Sequence, residues 1–254
     1  MTDEGRTFTT TETSFAVVHA IEDAGGATFT GLRSELDLPK STLYYHLNTL
    51  EKLGYVVQED GVYQLGLRFL SHAEHAKRKE RAFDVVRSEA RDLADRIPEE
   101  ISFATAENGR LVVVYHNIGG SAMTDFGIGQ YLYLHATANG KVLLAEMPES
   151  RVDEIVDRWG LPALTENTIT DRAVLKTELD AVRERGYAVN DEEQREGLRS
   201  VGAKITKPDG SVLGALAIDG ATYRMTEEQI EAQTIGELFD TIDQIETKIE
   251  EEQR

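Results

Sequence analysis

Apolar residues recur at helical spacing along the first part of the chain. From Phe15 they return every three or four positions, as on one face of an amphipathic helix, and the pair Gly25-Gly26 ends the pattern. Thr28 or Thr30 can cap a short second helix that runs to Leu36. This part of the chain therefore predicts two consecutive helices.

A third helix and a hairpin follow. Pro39 fits the first position of a helix, where its missing N–H costs nothing, and Gly54 closes that helix. Its apolar stripe consists of Leu43, Leu47, Leu50 and Leu53. The strand-like runs 55–58 and 62–65 flank Asp60-Gly61, a strong hairpin turn signal. Three short helices followed by a β-hairpin predict a winged helix-turn-helix.

The face of the third helix opposite the leucines is polar. At about 100° per residue, Ser41, Tyr45, Asn48 and Lys52 lie opposite the stripe, and Lys40, Thr42, Tyr44 and Thr49 flank it. Hydroxyls, an amide and amines suit contacts with phosphates and base edges. We therefore predict that DNA is bound by Lys40, Ser41, Thr42, Tyr44, Tyr45 and Asn48, the alternative being a face exposed only to water. His46 lies nearer the leucine side and is predicted to pack.

A linker helix is predicted over residues 66–79. His72 and His75 have a spacing that can chelate a metal, but no third ligand is evident, so we predict a solvated face and no metal site. The basic run 77–79 is ordinary surface or, beside DNA, a phosphate contact.

Strands interleave with helices in the remainder of the chain. The predicted strands are 101–106, 111–116, 187–190, 201–207 and 211–219, and the predicted helices are 83–96, 136–147, 150–159, 171–185 and 230–249. Thr226 with Gln229 forms a capping-box pattern before the last helix. The pattern predicts a second domain with a central antiparallel sheet, and an α+β fold for the whole chain.

The net charge of −19 argues against a simple DNA-binding protein, because such proteins are usually basic. The acid is unevenly distributed: residues 1–79 hold 8 Lys and Arg against 11 Asp and Glu, whereas residues 80–254 hold 19 against 35. Most of the negative charge thus lies outside the predicted winged helix. The acidity suits a halophilic protein in a salt-rich cytoplasm, or an ordinary acidic protein.

Several classes of function are disfavoured. The chain has no cysteine, which excludes disulfides and thiolate chemistry, and no apolar run long enough for a transmembrane helix. The polar stretch 1–11 lacks the core of a signal peptide, so we expect a cytoplasmic protein. Gly127-Ile128-Gly129 lacks the third glycine of a dinucleotide site, and no cofactor is predicted. Glu192-Glu193 and His135 are candidates for acid–base work, but no motif arranges them, and an enzyme is not predicted.

Several longer motifs follow one another along the chain: LPKSTLYYHLNTLEKLGYV, GVYQLGLRFL, LYLHATANGKVLLA, TITDRAVLKTELDAVRERGYAVNDEEQREGLRSVGAKI and PDGSVLGALAIDG. In their order and spacing they resemble the IclR family of transcriptional regulators. The resemblance implies a winged helix over residues 1–70, a linker helix over 71–82 and a GAF-like effector-binding domain over 83–254. It also implies homodimers or tetramers, double-stranded DNA as partner, and a small effector such as a carboxylate, phenolic or sugar-derived metabolite, often of a catabolic pathway.

The resemblance further implies an effector pocket. Carried over position by position, its lining is Leu132, Ala138, Asn139, Asn190, Leu198, Ser200, Ala217 and Asp219. The family commonly has aspartate in place of Asn190, cysteine in place of Ser200 and serines in place of Ala217 and Asp219. The added carboxylate disfavours an anionic ligand, because burying like charges together is costly. We therefore expect a neutral, polyhydroxy or cationic effector, or a weakened pocket. The alternative for Asp219 is a solvated strand end.

Two departures on the third helix leave the operator sequence open, since the family often has arginine in place of Tyr45 and an apolar residue in place of His46. The leading hypothesis is a DNA-binding regulator under metabolite control. The alternatives are an adaptor of the same fold that has lost ligand sensing and, less favoured, a small-molecule enzyme.

Overall fold

The computed structural model describes residues 7–117, 124 and 126–252. Backbone contacts divide the chain into two compact units, residues 1–79 and 80–254. The predicted α+β class is confirmed, with a helix-turn-helix unit followed by a larger unit built on an antiparallel sheet. Within the described ranges, no helix is long and apolar enough to cross a membrane.

The first unit is a winged helix. Its helices are α1 (Thr9–Asp23), α2 (Phe29–Leu36), α3 (Lys40–Lys52) and α4 (Arg68–Lys77), and its strands are β1 (Ala27–Thr28), β2 (Val56–Glu59) and β3 (Val62–Leu65). The strands form an antiparallel sheet in the order β1-β3-β2. The two-residue β1 was not predicted, because a strand this short has no periodicity to detect.

Local sequence explains the turns of this unit. The hydroxyl of Thr28 caps α2 by accepting from the Gly31 amide at 3.2 Å. Asp60 and Gly61 both adopt positive φ, 50° and 82°, as the predicted hairpin turn requires. Gly54, at φ 78°, ends α3, and the Tyr55 amide donates back to the Leu50 carbonyl.

The leucine stripe of α3 is confirmed for three of its four members. Leu43, Leu47 and Leu50 are buried against α1 and α2. Leu53 is 47% exposed, and its assignment to the stripe was wrong. The helix ends at Lys52, so Leu53 already belongs to the turn and no longer follows the helical rotation.

The second unit is built on a six-stranded antiparallel sheet. Its strands are β4 (Glu100–Glu107), β5 (Arg110–Asn117), β6 (Tyr131–Leu132), β7 (Tyr187–Asp191), β8 (Leu198–Thr206) and β9 (Val212–Ala221), in the order β6-β5-β4-β9-β8-β7. Its helices are α5 (Ala82–Ala94), α6 (Ala138–Ala145), α7 (Glu149–Trp159), α8 (Arg172–Arg185), α9 (Glu227–Gln229) and α10 (Ile235–Glu252). A 3₁₀ turn, Leu134–Ala136, precedes α6, and a π-helical segment, Ile230–Thr234, precedes α10.

Each face of this sheet carries its own core. Along β9, Leu216 and Ile218 join α5 and α10 on one face, whereas Ala215 packs with α6, α7 and α8 on the other. Alternation of side chains along a strand produces this division. The helix face of α10 that the pattern 230–249 predicted is buried here.

Two glycines let the start of α6 lie close to its neighbours. A Cβ added to Gly202 of β8 would lie 3.1 Å from the backbone of Ala138, so a side chain there would require the helix to give by a few tenths of an ångström. A Cβ added to Gly140 of α6 would lie 2.1 Å from the carbonyl oxygen of Leu134 in the preceding 3₁₀ turn, where no side chain fits. The residues at the start of α6 are therefore held directly above the middle of the sheet.

Candidate functional site

The predicted DNA-contact face of α3 is exposed. Lys40, Ser41, Tyr44, Tyr45 and Asn48 are all exposed, and Thr42 is half-buried. Tyr44 and Tyr45 are 53% and 69% exposed, and their rings meet edge-to-face at 6.0 Å. Two large aromatic rings on a solvent-facing helix are available for an intermolecular contact.

His46 packs inside the unit. It is buried, and its Nδ1 atom lies 2.8 Å from the hydroxyl oxygen of Ser14 on α1. The prediction that His46 packs, and does not contact bases, is consistent with this burial. The polar contact fixes α3 against α1 beside the leucine stripe.

The carboxyl end of α3 is tied to the start of α4. The Arg68 guanidinium donates to the Leu53 carbonyl at 2.7 Å. The Tyr55 hydroxyl lies 2.8 Å from Nε2 of His72, and their rings stack at 5.6 Å. His72 therefore has a protein partner, while His75 is exposed. Among the described residues, no three His, Cys, Asp or Glu side chains are grouped to hold a metal.

The β2–β3 hairpin is the wing of the first unit. It carries negative charge at its tip, where Glu59 and Asp60 are both exposed. Positive charge on α3 is confined to Lys40 and Lys52, at its two ends. Phosphate is therefore attracted at the ends of α3 and repelled at the wing tip.

A cavity opens between α6 and the face of the six-stranded sheet on which α6, α7 and α8 pack. Counted with its open mouth, it has a volume of about 310 Å³. Its walls are Ser102, Leu111, Val113, Phe126, Leu132, Thr137, Ala138, Asn139, Asn190, Gln194, Leu198, Ser200 and Asp219. The space open to the centre of a water molecule is only about 20 Å³, which holds one or two waters, so a metabolite requires the walls to move apart.

Seven of the eight predicted effector residues line this cavity together: Leu132, Ala138, Asn139, Asn190, Leu198, Ser200 and Asp219. Ala217 is buried on the same strand as Asp219 but is not part of the wall. Six wall residues were not predicted from the sequence: Ser102, Leu111, Val113, Phe126, Thr137 and Gln194. Ser102 reaches the wall only through the strand register, which places it opposite Ala217. Thr137 has a local signal: its hydroxyl caps α6 by accepting from the Gly140 amide at 3.0 Å.

Asp219 is the centre of a buried polar network. The Ser102 hydroxyl donates to its Oδ2 at 2.6 Å, and Nδ2 of Asn139 donates to the Ser102 oxygen at 3.1 Å. Burial raises the pKa of Asp219, and hydrogen bonds from Ser102 and Ser200 oppose that rise. With 5% of its surface exposed, Asp219 is not a solvated strand end.

The loop between β7 and β8 is held down over the cavity. Oδ1 of Asn190 accepts from the backbone amides of Glu193 and Gln194, at 2.9 and 3.3 Å. Nζ of Lys141 lies 2.5 Å from Glu193 and 3.4 Å from Glu178. This buried ion pair connects the loop to α6.

The candidate acid–base residues have structural partners. Glu193 is paired with Lys141, and Oε2 of Glu192 accepts from the Gly197 amide at 2.6 Å. His135 is buried with Nε2 at 3.2 Å from the Pro162 carbonyl, and burial lowers its pKa. These contacts hold loops and do not form a catalytic pair.

Family models match both units. The model described as "Bacterial transcriptional regulator IclR C-terminal" matches residues 79–247, and the model described as "Helix-turn-helix domain" matches residues 9–58.

Individual relatives cover almost the whole chain. The probable HTH-type transcriptional regulator ArcR of Halobacterium salinarum is 29% identical over 252 residues, which is 97% of this chain and 96% of the relative. The crystal structure of the Thermotoga maritima IclR has a TM-score of 0.79 at 26% identity and covers 95% of this chain and 98% of its own.

A third relative was solved with a small molecule. It is the inducer-binding domain of a double mutant of the transcription factor PobR from Acinetobacter, in complex with 3-hydroxybenzoic acid. The domain has a TM-score of 0.60 at 25% identity and covers 64% of this chain and 96% of its own length.

Proposed function

Because this chain belongs to the IclR family of transcriptional regulators, we propose that it binds DNA through α3 and that a small metabolite in the cavity controls this binding. The family and the relatives are regulators of transcription and not enzymes. In the proposal, residues 1–70 bind DNA, 71–82 link the parts, and 83–254 form a GAF-like effector-binding domain. The protein acts in the cytoplasm, and the genes it regulates belong to a catabolic pathway.

The exposed polar face of α3 supports the DNA-binding half of the proposal. Ser41, Tyr45 and Asn48 lie on the side of the helix that faces away from the buried leucine stripe. An asparagine on such a helix can form two hydrogen bonds with an adenine edge in the major groove, and hydroxyl groups can bond phosphates. Lys40 at the start of the helix adds a phosphate contact.

The cavity is the single observation that carries the effector half. It gathers polar side chains from β4, α6, β7, β8 and β9 around a buried carboxyl group, with an apolar wall opposite. Concave sites with a few converging polar groups are typical of ligand pockets. The related PobR domain holds 3-hydroxybenzoic acid, which supports a small-molecule role for this part of the chain.

Control of DNA binding requires that the ligand favour one arrangement of the DNA-binding units over another. We propose a homodimer or a tetramer that presents two copies of α3 to paired half-sites. Effector binding then changes how well the two copies fit their half-sites. An adaptor that has lost either DNA or ligand affinity is the competing proposal, favoured by the acidic composition.

Fluorescence anisotropy with the DNA upstream of the protein's own operon tests the DNA-binding half. We expect specific binding over a range of KCl concentrations, and a loss of about tenfold in affinity for Asn48→Ala, since a good base contact is worth ~1–3 kcal/mol. Glu22→Gln is the matched control, because Glu22 is an exposed α1 residue outside the proposed contact face. No preference for the upstream DNA over a scrambled sequence at any salt concentration would favour the adaptor.

A further inference from the structure

Two buried hydrogen-bond acceptors in the cavity wall have no partner. Oδ1 of Asn139 and Oε1 of Gln194 are both buried, and neither accepts a hydrogen bond from any residue in the described part of the chain. Leaving a buried acceptor unpaired is unfavourable, because its hydrogen bonds to water are lost and not replaced. The two atoms belong to different elements, α6 and the β7–β8 loop, and two hydrogen-bond donors are needed to satisfy both.

The protein network fixes the orientation of Asn139. Ser102 has one hydroxyl proton, which it donates to Asp219, so the Ser102 oxygen can only accept from Asn139. The amide nitrogen of Asn139 must therefore face Ser102, and its carbonyl oxygen is left for another donor. Asn190 differs, because both ends of its amide are already engaged, by Ser200 and by the β7–β8 loop.

The charges around the cavity disfavour an anion. Among the described wall residues, Asp219 is the one acidic side chain, and none is Lys, Arg or His. The neighbouring Lys141 is already held by Glu193 and Glu178. A ligand carboxylate would lie close to a buried carboxyl group, and His116, a basic group that acts on Asp219 from outside the wall, is already bonded to Glu100 at 3.0 Å.

A single ammonium group fits less well than several hydroxyls. The unpaired acceptors are neutral amide oxygens at two positions, whereas one ammonium would be drawn to Asp219 alone. The apolar part of the wall offers contact to C–H groups and consists of Leu111, Val113, Phe126, Leu132 and Leu198. A ring or chain with hydroxyls along one edge and C–H groups along the other matches both parts.

We propose that the cavity, once its walls move apart, binds a small neutral polyhydroxy compound and discriminates against its carboxylate analogue. Asn139 and Gln194 accept from the ligand hydroxyls, and Ser102 is a positioning residue that holds the Asn139 carbonyl available. This inference rests on the proposed function, and it names the ligand class for the same cavity.

Thermal unfolding of the full chain tests the inference with matched probes at fixed ionic strength. The probes are glucose, gluconate and glucosamine, together with the neutral alcohol and acid derived from xylose. We expect the neutral compounds to raise Tm, since a ligand that binds only the folded state stabilises it. The concentration of a neutral compound that gives half of the full Tm shift should be at least about tenfold lower than that of the corresponding acid. Asp219→Asn, which removes the carboxylate, is expected to shrink this preference about tenfold.

Asp209→Asn is the matched control, because it makes the same change of charge at an exposed position in the turn before β9 and should leave the preference unaltered. Tighter binding of an acid or of glucosamine by the unaltered protein, or no shift with any probe, would overturn the inference. DNA binding is measured on the same samples. If DNA binding responds only to an acid, the proposed function stands and the ligand class is wrong, whereas a Tm shift without any DNA binding refutes the proposed function alone.

Discussion

Loss of one partner from the buried ion pair between α6 and the β7–β8 loop should greatly lower the free energy of unfolding of the second unit. The side chains of Lys141 and Glu193 are 2% and 7% exposed, and Glu178 supports the pair from 3.4 Å. Lys141→Met keeps most of the volume of the side chain and removes its charge. The change leaves Glu193 buried with one oxygen unpaired and the other without its cation.

Breaking a buried pair from one side costs about 3–5 kcal/mol, because the remaining charge has no compensation. Burial already raises the pKa of Glu193, although Lys141 acts to lower it. Without Lys141 the pKa of Glu193 rises further. A carboxyl group whose pKa is raised by folding stabilises the fold below its unfolded pKa and loses this contribution as pH rises through the folded value. The variant should therefore lose more stability at about pH 8 than at about pH 5.

Urea denaturation followed by tryptophan fluorescence measures this loss. Trp159 is the one tryptophan of the sequence, and it lies at the end of α7 in the same unit, with Nε1 donating to the Asn108 carbonyl at 3.0 Å. Lys176→Met is the control, because the Lys176–Glu149 pair is 57% and 67% exposed and should contribute little to stability in water.

The double variant Lys141→Met, Glu193→Met should recover most of the stability, since both buried charges are then gone. A Lys141→Met variant that is no more destabilised than Lys176→Met at either pH would refute the stabilising role of Lys141 in the buried pair. A loss of stability that does not change when Glu193 is also removed would refute it too.

Three other predictions follow from the charges and the packing. Glu59→Lys at the wing tip should raise DNA affinity and steepen its salt dependence by about one unit of slope, as measured by anisotropy against KCl; an unchanged slope would place the wing away from phosphate. Asp219→Asn should stabilise the protein at neutral pH in urea titrations, with the gain vanishing as pH falls through the raised pKa of Asp219; a gain that persists in acid contradicts this. If the acidity reflects a salt-rich cytoplasm, Tm should rise steeply with KCl, and a fully stable fold at low salt would exclude that interpretation.

Features set by neighbouring residues could be predicted from the sequence. The Asp60-Gly61 turn, the Thr28 cap and the apolar face of α3 all depend on residues within one or two turns of chain. The capping pattern at Thr226 was half confirmed: its hydroxyl accepts from the Gln229 amide at 3.2 Å, whereas the Gln229 side chain bonds to Gln233. The π-helical segment that follows has no signal in the apolar spacing.

Features set by distant pairing could not be predicted in the same way. Ser102 enters the cavity because β4 pairs with β9 in one register, with Ser102 opposite Ala217. The burial of Asp219 has the same origin, since sequence alone left a solvated strand end equally open. Seven wall residues could nevertheless be predicted from the resemblance, because members of one family share a three-dimensional arrangement that helix and strand periodicity does not reveal.

Two glycines at α6 restrict how this cavity can change in evolution. Gly140 in the helix leaves no room for a side chain against the Leu134 carbonyl, and a side chain at Gly202 in β8 would press on the backbone of Ala138. Either substitution would shift α6, which carries the wall residues Ala138 and Asn139. Phe126 and Gln194 lie outside regular helices and strands, where substitutions are better tolerated. New ligand preferences should therefore arise by exchange at such wall positions, while the two glycines stay unchanged.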